Sequence, residues 1–154
     1  MKIRIIAVGK DKDTWLSEAL NEYFKRLKPF CKIEMIRIPD ISVKHTGSSK
    51  IVIEKECAAI RKQICKEDFC ILLDENGESK DSQGFSELLT DLSTKKRIVF
   101  IIGGVFGTDA RLKEEADICL SLSRLTFTHR VARLILVEQI YRAMMIKSGR
   151  AYHI

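Results

Sequence analysis

The stretch RIVFIIGGVFG (residues 97–107) joins a short apolar run to a glycine-rich turn. Five consecutive apolar residues, 98–102, have the length of a strand and lack the alternation of a half-exposed one. Such runs are typical of strands that are covered on both faces, as in parallel sheets. Glycine after a strand indicates that the backbone must turn tightly or come close to another group. The stretch therefore predicts a buried parallel strand that ends either at a structural turn or beside a ligand.

Strands and helices are predicted to alternate along the rest of the chain. Besides 98–102, the predicted strands are residues 2–8, 31–38, 69–73 and 118–122. Helices with apolar positions three and four residues apart are predicted after Asp13, near Ile53, after Ser82, after Thr108, and from His129 or Arg130 to Ser148-Gly149. Residues 39–50 are predicted to be a polar loop and residues 74–77 a turn. This order predicts an α/β fold with a parallel sheet in one domain, residues 1–154.

The composition indicates a globular protein and argues against several other classes. The chain has 154 residues, of which 45% are hydrophobic and 31% charged. No apolar run approaches the roughly 20 residues of a membrane-spanning helix, and the N-terminus is typical of a first strand, so we expect no membrane association. The five cysteines lack the spacing of metal ligands. We therefore expect free thiols, no metal and a cytoplasmic location.

Positive charge is concentrated in the last quarter of the chain. The net charge is +6, and residues 118–154 contain six Lys and Arg residues against one acid, Glu138. Such a segment is either a solvated basic face or a surface for phosphates, most naturally those of a nucleic acid. Charge alone does not favour one interpretation over the other.

The last predicted helix has almost no polar side. Apolar side chains occupy nearly every direction around residues 131–146. A helix of this kind must be buried nearly all round. Either it lies at the centre of one monomer or a second chain covers it, and we expect the second arrangement, a two-fold homodimer.

Four motifs in order carry a resemblance to a known family. They are IGGVFG (102–107), SLSRLTFTH (121–129), VEQIYRA (137–143) and the terminal YH (152–153). Together with LDENG (73–77), they make the chain resemble the RlmH family of ribosomal RNA large-subunit methyltransferases, in the SPOUT superfamily. Ile154 stands where that family usually has a basic residue. The glycine spacing matches neither a dinucleotide fingerprint nor a phosphate-binding P-loop.

The resemblance implies a SPOUT-type α/β fold: a parallel sheet flanked by helices, with a trefoil knot in the C-terminal half. It implies a homodimer that uses S-adenosylmethionine to methylate N3 of a pseudouridine in a hairpin loop of 23S ribosomal RNA, on assembled ribosomes. The cofactor-binding residues it implies are Leu72, Leu73, Gly103, Gly104, Leu122, Ser123, Arg124, Leu125, Thr126 and Phe127. The two glycines would let the backbone approach the cofactor without a Cβ in the way.

The same resemblance suggests which residues act on the RNA. The candidates for handling the N3 proton or stabilising its anion are His129, Arg142, Tyr152 and His153. The tail that holds Tyr152 and His153 would complete the partner subunit's site. The candidates for phosphate contacts are Arg124, Arg130, Arg133 and Arg150. A plain i,i+4 ion pair with Glu138 is the alternative for Arg142.

Two other functions are compatible with the sequence. One is a SPOUT methyltransferase that acts on transfer RNA. The other is a non-catalytic RNA-binding or ribosome-binding protein that keeps the SPOUT fold. Binding of S-adenosylmethionine separates this non-catalytic protein from both enzymes.

Overall fold

The computed structural model describes residues 1–10 and 13–150. The strands are β1 (Lys2–Val8), β2 (Lys32–Ile38), β3 (Asp68–Ser79), β4 (Arg97–Ile102) and β5 (Ile118–Ser121). The helices are α1 (Thr14–Leu27), α2 (Val43–Thr46), α3 (Ser49–Arg61), α4 (Ser82–Asp91), α5 (Ala110–Glu115) and α6 (His129–Lys147). A short 3-10 turn, Leu92–Thr94, follows α4.

The five strands form one parallel sheet in the order β2-β1-β4-β3-β5. The predicted parallel α/β architecture is therefore confirmed. β4, whose sequence is the apolar run of the opening motif, is the central strand. Its neighbours β1 and β3 cover both of its edges, and its last five residues are buried. This explains why the run shows no alternation.

Helices cover both faces of the sheet. Ile98, Phe100 and Ile102 of β4 join a cluster with side chains of α1, α4 and α6. Val99 and Ile101 point the other way, into a cluster with α3 and α5. Successive residues of a strand face opposite sides, so one short apolar run supplies both cores.

α6 lies against the sheet between α1 and α4. Its bounds agree with the prediction, and most of its apolar side chains are buried inside this one chain: Leu136, Val137, Ile140, Ala143, Met144 and Met145. The hydroxyl of Ser86 in α4 also donates to the carbonyl of Ala143, at 3.0 Å. Burial within one monomer therefore accounts for most of the apolar character from which we predicted a second chain.

Two predicted irregular segments contain regular structure. Residues 39–50 were predicted to be a loop, but they include α2 and the start of α3. The Ser42 hydroxyl caps α2 by accepting from the amide of Lys44. Residues 74–77 were predicted to be a turn, but they lie inside β3. Leu73 and Glu78 both pair with Leu120, so the residues between them bulge out of the ladder while the strand continues.

Aspartate side chains cap the N-termini of two helices, α4 and α5. Asp81 accepts from the amide of Gly84 at 2.7 Å, and Asp109 accepts from the amide of Leu112 at 2.7 Å. The cap of α5 is therefore Asp109, one residue after the predicted Thr108. Arg61 at the end of α3 donates to Asp109 at 2.6 Å, which ties α3 to α5 on one face of the sheet.

All five cysteines are free thiols, as predicted. Cys31, Cys57 and Cys70 are buried, whereas Cys65 is exposed. Within the described part of the chain, no helix combines the length and apolarity needed to cross a bilayer.

Gly77 permits the close packing of β3 on β5, so a methyl group there should destabilise the fold. A Cβ on Gly77 would lie 2.7 Å from the backbone carbonyl atoms of Cys119, and neighbouring backbone cannot rotate away. We expect Gly77→Ala to lower the free energy of unfolding by about 1–3 kcal/mol, measured by urea denaturation. Gly84→Ala is the control, because its Cβ would meet only side-chain atoms. Equal stabilities of the two variants would contradict the prediction.

Candidate functional site

A cavity of about 730 Å³ opens beside the bulge of β3 and at the carboxyl ends of β4 and β5. Ligands of parallel α/β sheets bind at this edge because the loops that follow the strands converge there. Eight of the ten residues predicted to bind a cofactor line it: Leu73, Gly103, Gly104, Leu122, Ser123, Leu125, Thr126 and Phe127. Three motifs that lie far apart in the sequence therefore meet around one space.

Leu72 and Arg124 are not part of the cavity lining. Leu72 is fully buried in the core beneath α3 and α5, because it faces the opposite side of β3 from Leu73. Arg124 is exposed on the loop after β5. Its side chain belongs to the outer surface beside the cavity.

Polar groups that the sequence analysis missed lie on the cavity wall. Asp74 pairs with Lys113 of α5, and the hydrogen bond from this lysine lowers the pKa of the Asp74 carboxyl. The Thr126 hydroxyl donates to Glu75 at 2.8 Å, which joins the loop after β5 to β3. Two acids directly after a predicted buried strand were the available signal, but the sequence analysis assigned no role to Asp74 or Glu75 themselves.

The glycine turn packs against the protein itself. A Cβ on Gly103 would lie 2.8 Å from the Thr108 methyl, and a Cβ on Gly104 would lie 2.3 Å from Oε2 of Glu56. Neither glycine has a positive φ, whereas Gly107 does, at 80°. We predicted that these glycines make room for a cofactor. Contacts with neighbouring side chains are a second reason for glycine at both positions.

A second, smaller cavity of about 290 Å³ lies next to the first. It forms at the ends of β1 and β2, and Gly104, Val105, Phe106 and His129 line both cavities. His129 is the first residue of α6, whose N-terminus is capped by the Thr128 hydroxyl. The structure therefore places this catalytic candidate at the boundary between the two spaces.

Glu56 of α3 is an unusual group in the wall of this second cavity. Its side chain is buried, its Oε1 accepts the amide of Ile41 at 3.1 Å, and its Oε2 has no partner among the described residues. Burial raises the pKa of the Glu56 carboxyl, and the nearby Asp40 adds to the rise. Ionised Glu56 thus disfavours the folded state, and the penalty appears as the pH rises above the ordinary carboxyl range.

Arg133 is not available for RNA, contrary to the prediction. Its side chain has 0% exposure, and its guanidinium donates to the carbonyl of Gly9 at 2.9 Å and to that of Val8. A buried charge needs such partners, and here the buried backbone carbonyls at the end of β1 supply them. Charge alone suggested a surface contact, but packing of α6 on the sheet decides otherwise.

The other basic candidates stay near the surface. Arg130 pairs with Asp13 at 2.6 Å and also lines the second cavity. Arg150 lies over the ring of Phe30, 5.4 Å from its centroid.

Arg142 lies away from both cavities of its own chain. It forms the i,i+4 ion pair with Glu138, at 2.9 Å, and is thirteen residues from His129, or about 20 Å along the helix axis. Tyr152 and His153 lie outside the described residues. Over residues 1–10 and 13–150, no group of three or more potential metal ligands occurs.

Comparison with known proteins gives the family. The profile of the family described as "Predicted SPOUT methyltransferase" matches residues 1–153. Two relatives named "Ribosomal RNA large subunit methyltransferase H" are similar over 99% of this chain and 99% of their own length. The relative from Streptococcus pyogenes serotype M5 (strain Manfredo) is 41% identical, and that from serotype M18 (strain MGAS8232) is 40% identical. The chain belongs to the RlmH family of SPOUT methyltransferases.

SPOUT methyltransferases as a group use S-adenosylmethionine, and the larger cavity suits such a ligand. Its volume lies within the roughly 300–1,000 Å³ of small-molecule sites. Leu73, Leu122 and Phe127 provide apolar walls, while Glu75 offers a carboxylate for a positively charged cofactor. The parallel sheet agrees with the SPOUT fold of the RlmH family, and the trefoil knot remains what membership implies.

The structural role of Arg133 can be tested against exposed Arg124. Arg133→Met leaves the buried carbonyls of Val8 and Gly9 without their donors, so the free energy of unfolding should fall by about 1–3 kcal/mol. Arg124→Met should change it by less than about 0.5 kcal/mol. Urea denaturation of both variants measures the difference. An Arg133→Met protein as stable as Arg124→Met would show that the carbonyl contacts contribute nothing.

Proposed function

We propose that this protein transfers a methyl group from S-adenosylmethionine to N3 of a pseudouridine in a hairpin loop of 23S ribosomal RNA, acting in the cytoplasm on assembled ribosomes. The observation that carries the proposal is the meeting of the LDENG, IGGVFG and SLSRLTFTH motifs around one cavity. The relatives' name, which specifies the large ribosomal subunit, supports RNA as the substrate. One domain, residues 1–154, would carry the activity.

The cavity residues would hold the cofactor between two walls. Leu122, Leu125 and Phe127 follow β5. On the other side lie Leu73, at the bulge of β3, and Gly103, directly after β4. When bound, S-adenosylmethionine supplies an electrophilic methyl group on a sulfonium. The Glu75 carboxylate favours a cation in this space, whereas Lys113 offsets the charge of Asp74. The Glu75–Thr126 hydrogen bond links the two walls.

The basic residues would bind the RNA, and His129 would act on its target base. Arg124, Arg130 and Arg150 remain candidates for phosphate contacts. Arg133 is no longer a candidate because its side chain is buried. His129 lies at the boundary of the two cavities, where an imidazole can take up and release a proton, as transfer of the N3 proton requires. The target base must leave its stack to reach this edge of the sheet.

A homodimer would complete the site. Five large apolar side chains are exposed on α1, α6 and the cavity loops: Trp15, Val105, Phe106, Leu125 and Val131. Val105, Phe106 and Leu125 lie together around the larger cavity, and neighbouring exposed apolar groups favour a protein interface. In a two-fold dimer, Arg142, Tyr152 and His153 would act at the partner's cofactor, since Arg142 is remote from the cavities of its own chain.

Cofactor binding in the larger cavity can be tested at Leu125, whose side chain is 73% exposed. If a cofactor covers this side chain, Leu125→Ala should weaken S-adenosylmethionine binding about tenfold without loss of thermal stability. Isothermal calorimetry measures the affinity. Ile51→Ala, at an exposed position of α3 outside both cavities, is the matched control. Equal affinities in the two variants would place the cofactor elsewhere.

The reaction itself can be tested in cells that lack the gene. Restoring the unmodified gene should add one methyl group to a single pseudouridine of 23S RNA, detected by mass spectrometry of nuclease fragments. Because N3 lies on the Watson–Crick edge, the product should also stop reverse transcription. His153→Ala should reduce purified activity about 10²–10⁴-fold if this side chain moves the N3 proton.

Sedimentation and calorimetry of the His153→Ala protein provide the control. The variant should still form dimers and bind S-adenosylmethionine, since His153 would act only on the RNA. A methyl group on transfer RNA, or none on any RNA, would refute the proposed substrate.

A further inference from the structure

Unpaired positive charge collects at the amino ends of the strands, at the edge of the sheet opposite to the cavities. Six exposed lysines lie there, either in the connections that lead into β2, β3 and β4 or at the first residue of a strand. None of the six forms a salt bridge with an acid in the described part of the chain. We call them the basic edge: Lys2, Lys28, Lys32, Lys62, Lys66 and Lys95.

The sheet brings these lysines, which are far apart in the sequence, onto one surface. Lys2 and Lys32 occupy paired positions of β1 and β2. The ammonium of Lys95, just before β4, lies 5.4 Å from the centroid of the Phe69 ring at the start of β3. Since neighbouring strands are about 4.8 Å apart, the starts of β2, β1, β4 and β3 span roughly 14 Å. The basic edge is therefore one continuous surface.

The acids beside these lysines are already paired with other cations. Asp68 at the start of β3 pairs with Arg97 at the start of β4, at 2.6 Å. Glu67 pairs with Lys96. The charge of the basic edge is thus not neutralised by the acids closest to it in the sequence.

Helix dipoles explain only part of this charge. Lys28 and Lys62 directly follow α1 and α3, and a cation is favourable there because a helix C-terminus carries partial negative charge. Lys2, Lys32 and Lys66 lie away from helix ends. Repulsion among like charges disfavours the compact state. An anionic partner that offsets this repulsion is a physical reason for three lysines at these positions.

The end of α6 shows where this surface would lie in a dimer. Arg150, the last described residue, lies over the ring of Phe30, 5.4 Å from its centroid, in the connection between α1 and β2. The C-terminal tail therefore leaves the protein at the basic edge. Three residues of chain from Arg150 to His153 reach at most about 10 Å. The seven residues of β1 alone put about 20 Å between this edge and the cavities of the same chain.

We propose that the basic edge binds phosphates of the RNA substrate and lies beside the partner subunit's cavity. This inference rests on the proposed function, in which His153 of one subunit completes the site of the other. A tail this short reaches a partner's cavity only if the basic edge is close to that cavity. RNA that enters the cavity then passes over the lysines of the subunit that donates the tail. One subunit thus holds the cofactor while the other holds the RNA backbone.

Loss of charge at the basic edge should weaken RNA binding without affecting the cofactor. The test variant combines Lys2→Gln, Lys32→Gln and Lys66→Gln, so the lysines at helix ends stay in place. The probe is ribosomes from cells that lack the gene. Their Kd, measured by filter binding, should rise about ten- to hundredfold, and the slope of log K against log salt should become shallower by about 2. Affinity for S-adenosylmethionine and stability to urea should not fall.

A second triple variant controls for net charge. It combines Lys44→Gln, Lys50→Gln and Lys55→Gln, three exposed positions outside the basic edge, and should bind ribosomes like the unmodified protein. Equal Kd values for the two triple variants overturn the basic edge as an RNA surface, even if the unmodified protein methylates 23S RNA. Failure of the unmodified protein to bind ribosomes overturns it as well. Binding that depends on the basic edge, without methyl transfer, supports the surface and refutes the proposed function.

Mixed dimers test which cavity the basic edge serves. Each dimer carries His153→Ala in one subunit, so only the other subunit's tail supports catalysis. The test substitutions are placed in the subunit with the intact tail in the first dimer, and in the subunit with His153→Ala in the second. KM for ribosomes should rise about tenfold or more in the first dimer and stay normal in the second, with equal kcat. Equal KM values, or the reverse order, overturn the placement beside the partner's cavity.

Discussion

The buried guanidinium of Arg133 is the contact on which the arrangement of both cavities depends. It donates to the carbonyls of Val8 and Gly9, where β1 ends, and thereby holds the first turns of α6 against the sheet. The ring of His129, one turn earlier, consequently lies over Gly9, with Nε2 3.1 Å from where a Cβ of that glycine would be. This contact links the start of α6, and with it the wall between the two cavities, to the end of β1.

Close packing at glycine determines the rest of that wall. Gly104 leaves room for the carboxyl of Glu56, and Gly103 leaves room for the methyl of Thr108. The turn after β4 therefore lies between α3 and the start of α5, and its outer residues Val105 and Phe106 are exposed toward both cavities. The same glycines that suggested ligand contact bring a carboxyl with a raised pKa close to the candidate site.

The candidate site was predicted in part, through motifs whose order resembles a family. Eight of the ten predicted cofactor residues line one cavity, because loops after parallel strands converge on one edge. Glu56 and the Asp74–Lys113 pair were missed, since each depends on contacts between residues remote in sequence. Arg133 was wrongly predicted as an RNA contact, because its charge suggested exposure and only packing shows burial.

The sequence by itself determined the parallel α/β class, the buried central strand β4 and the bounds of α6, since these follow from local hydrophobic patterns. It also determined the family, because four ordered motifs are specific to it. Only the tertiary structure decided that α6 is largely buried by its own chain, and that residues 74–77 bulge within β3 instead of forming a turn. The physical reason is that side-chain burial and strand register depend on which distant segments meet, and local periodicity carries no information about that.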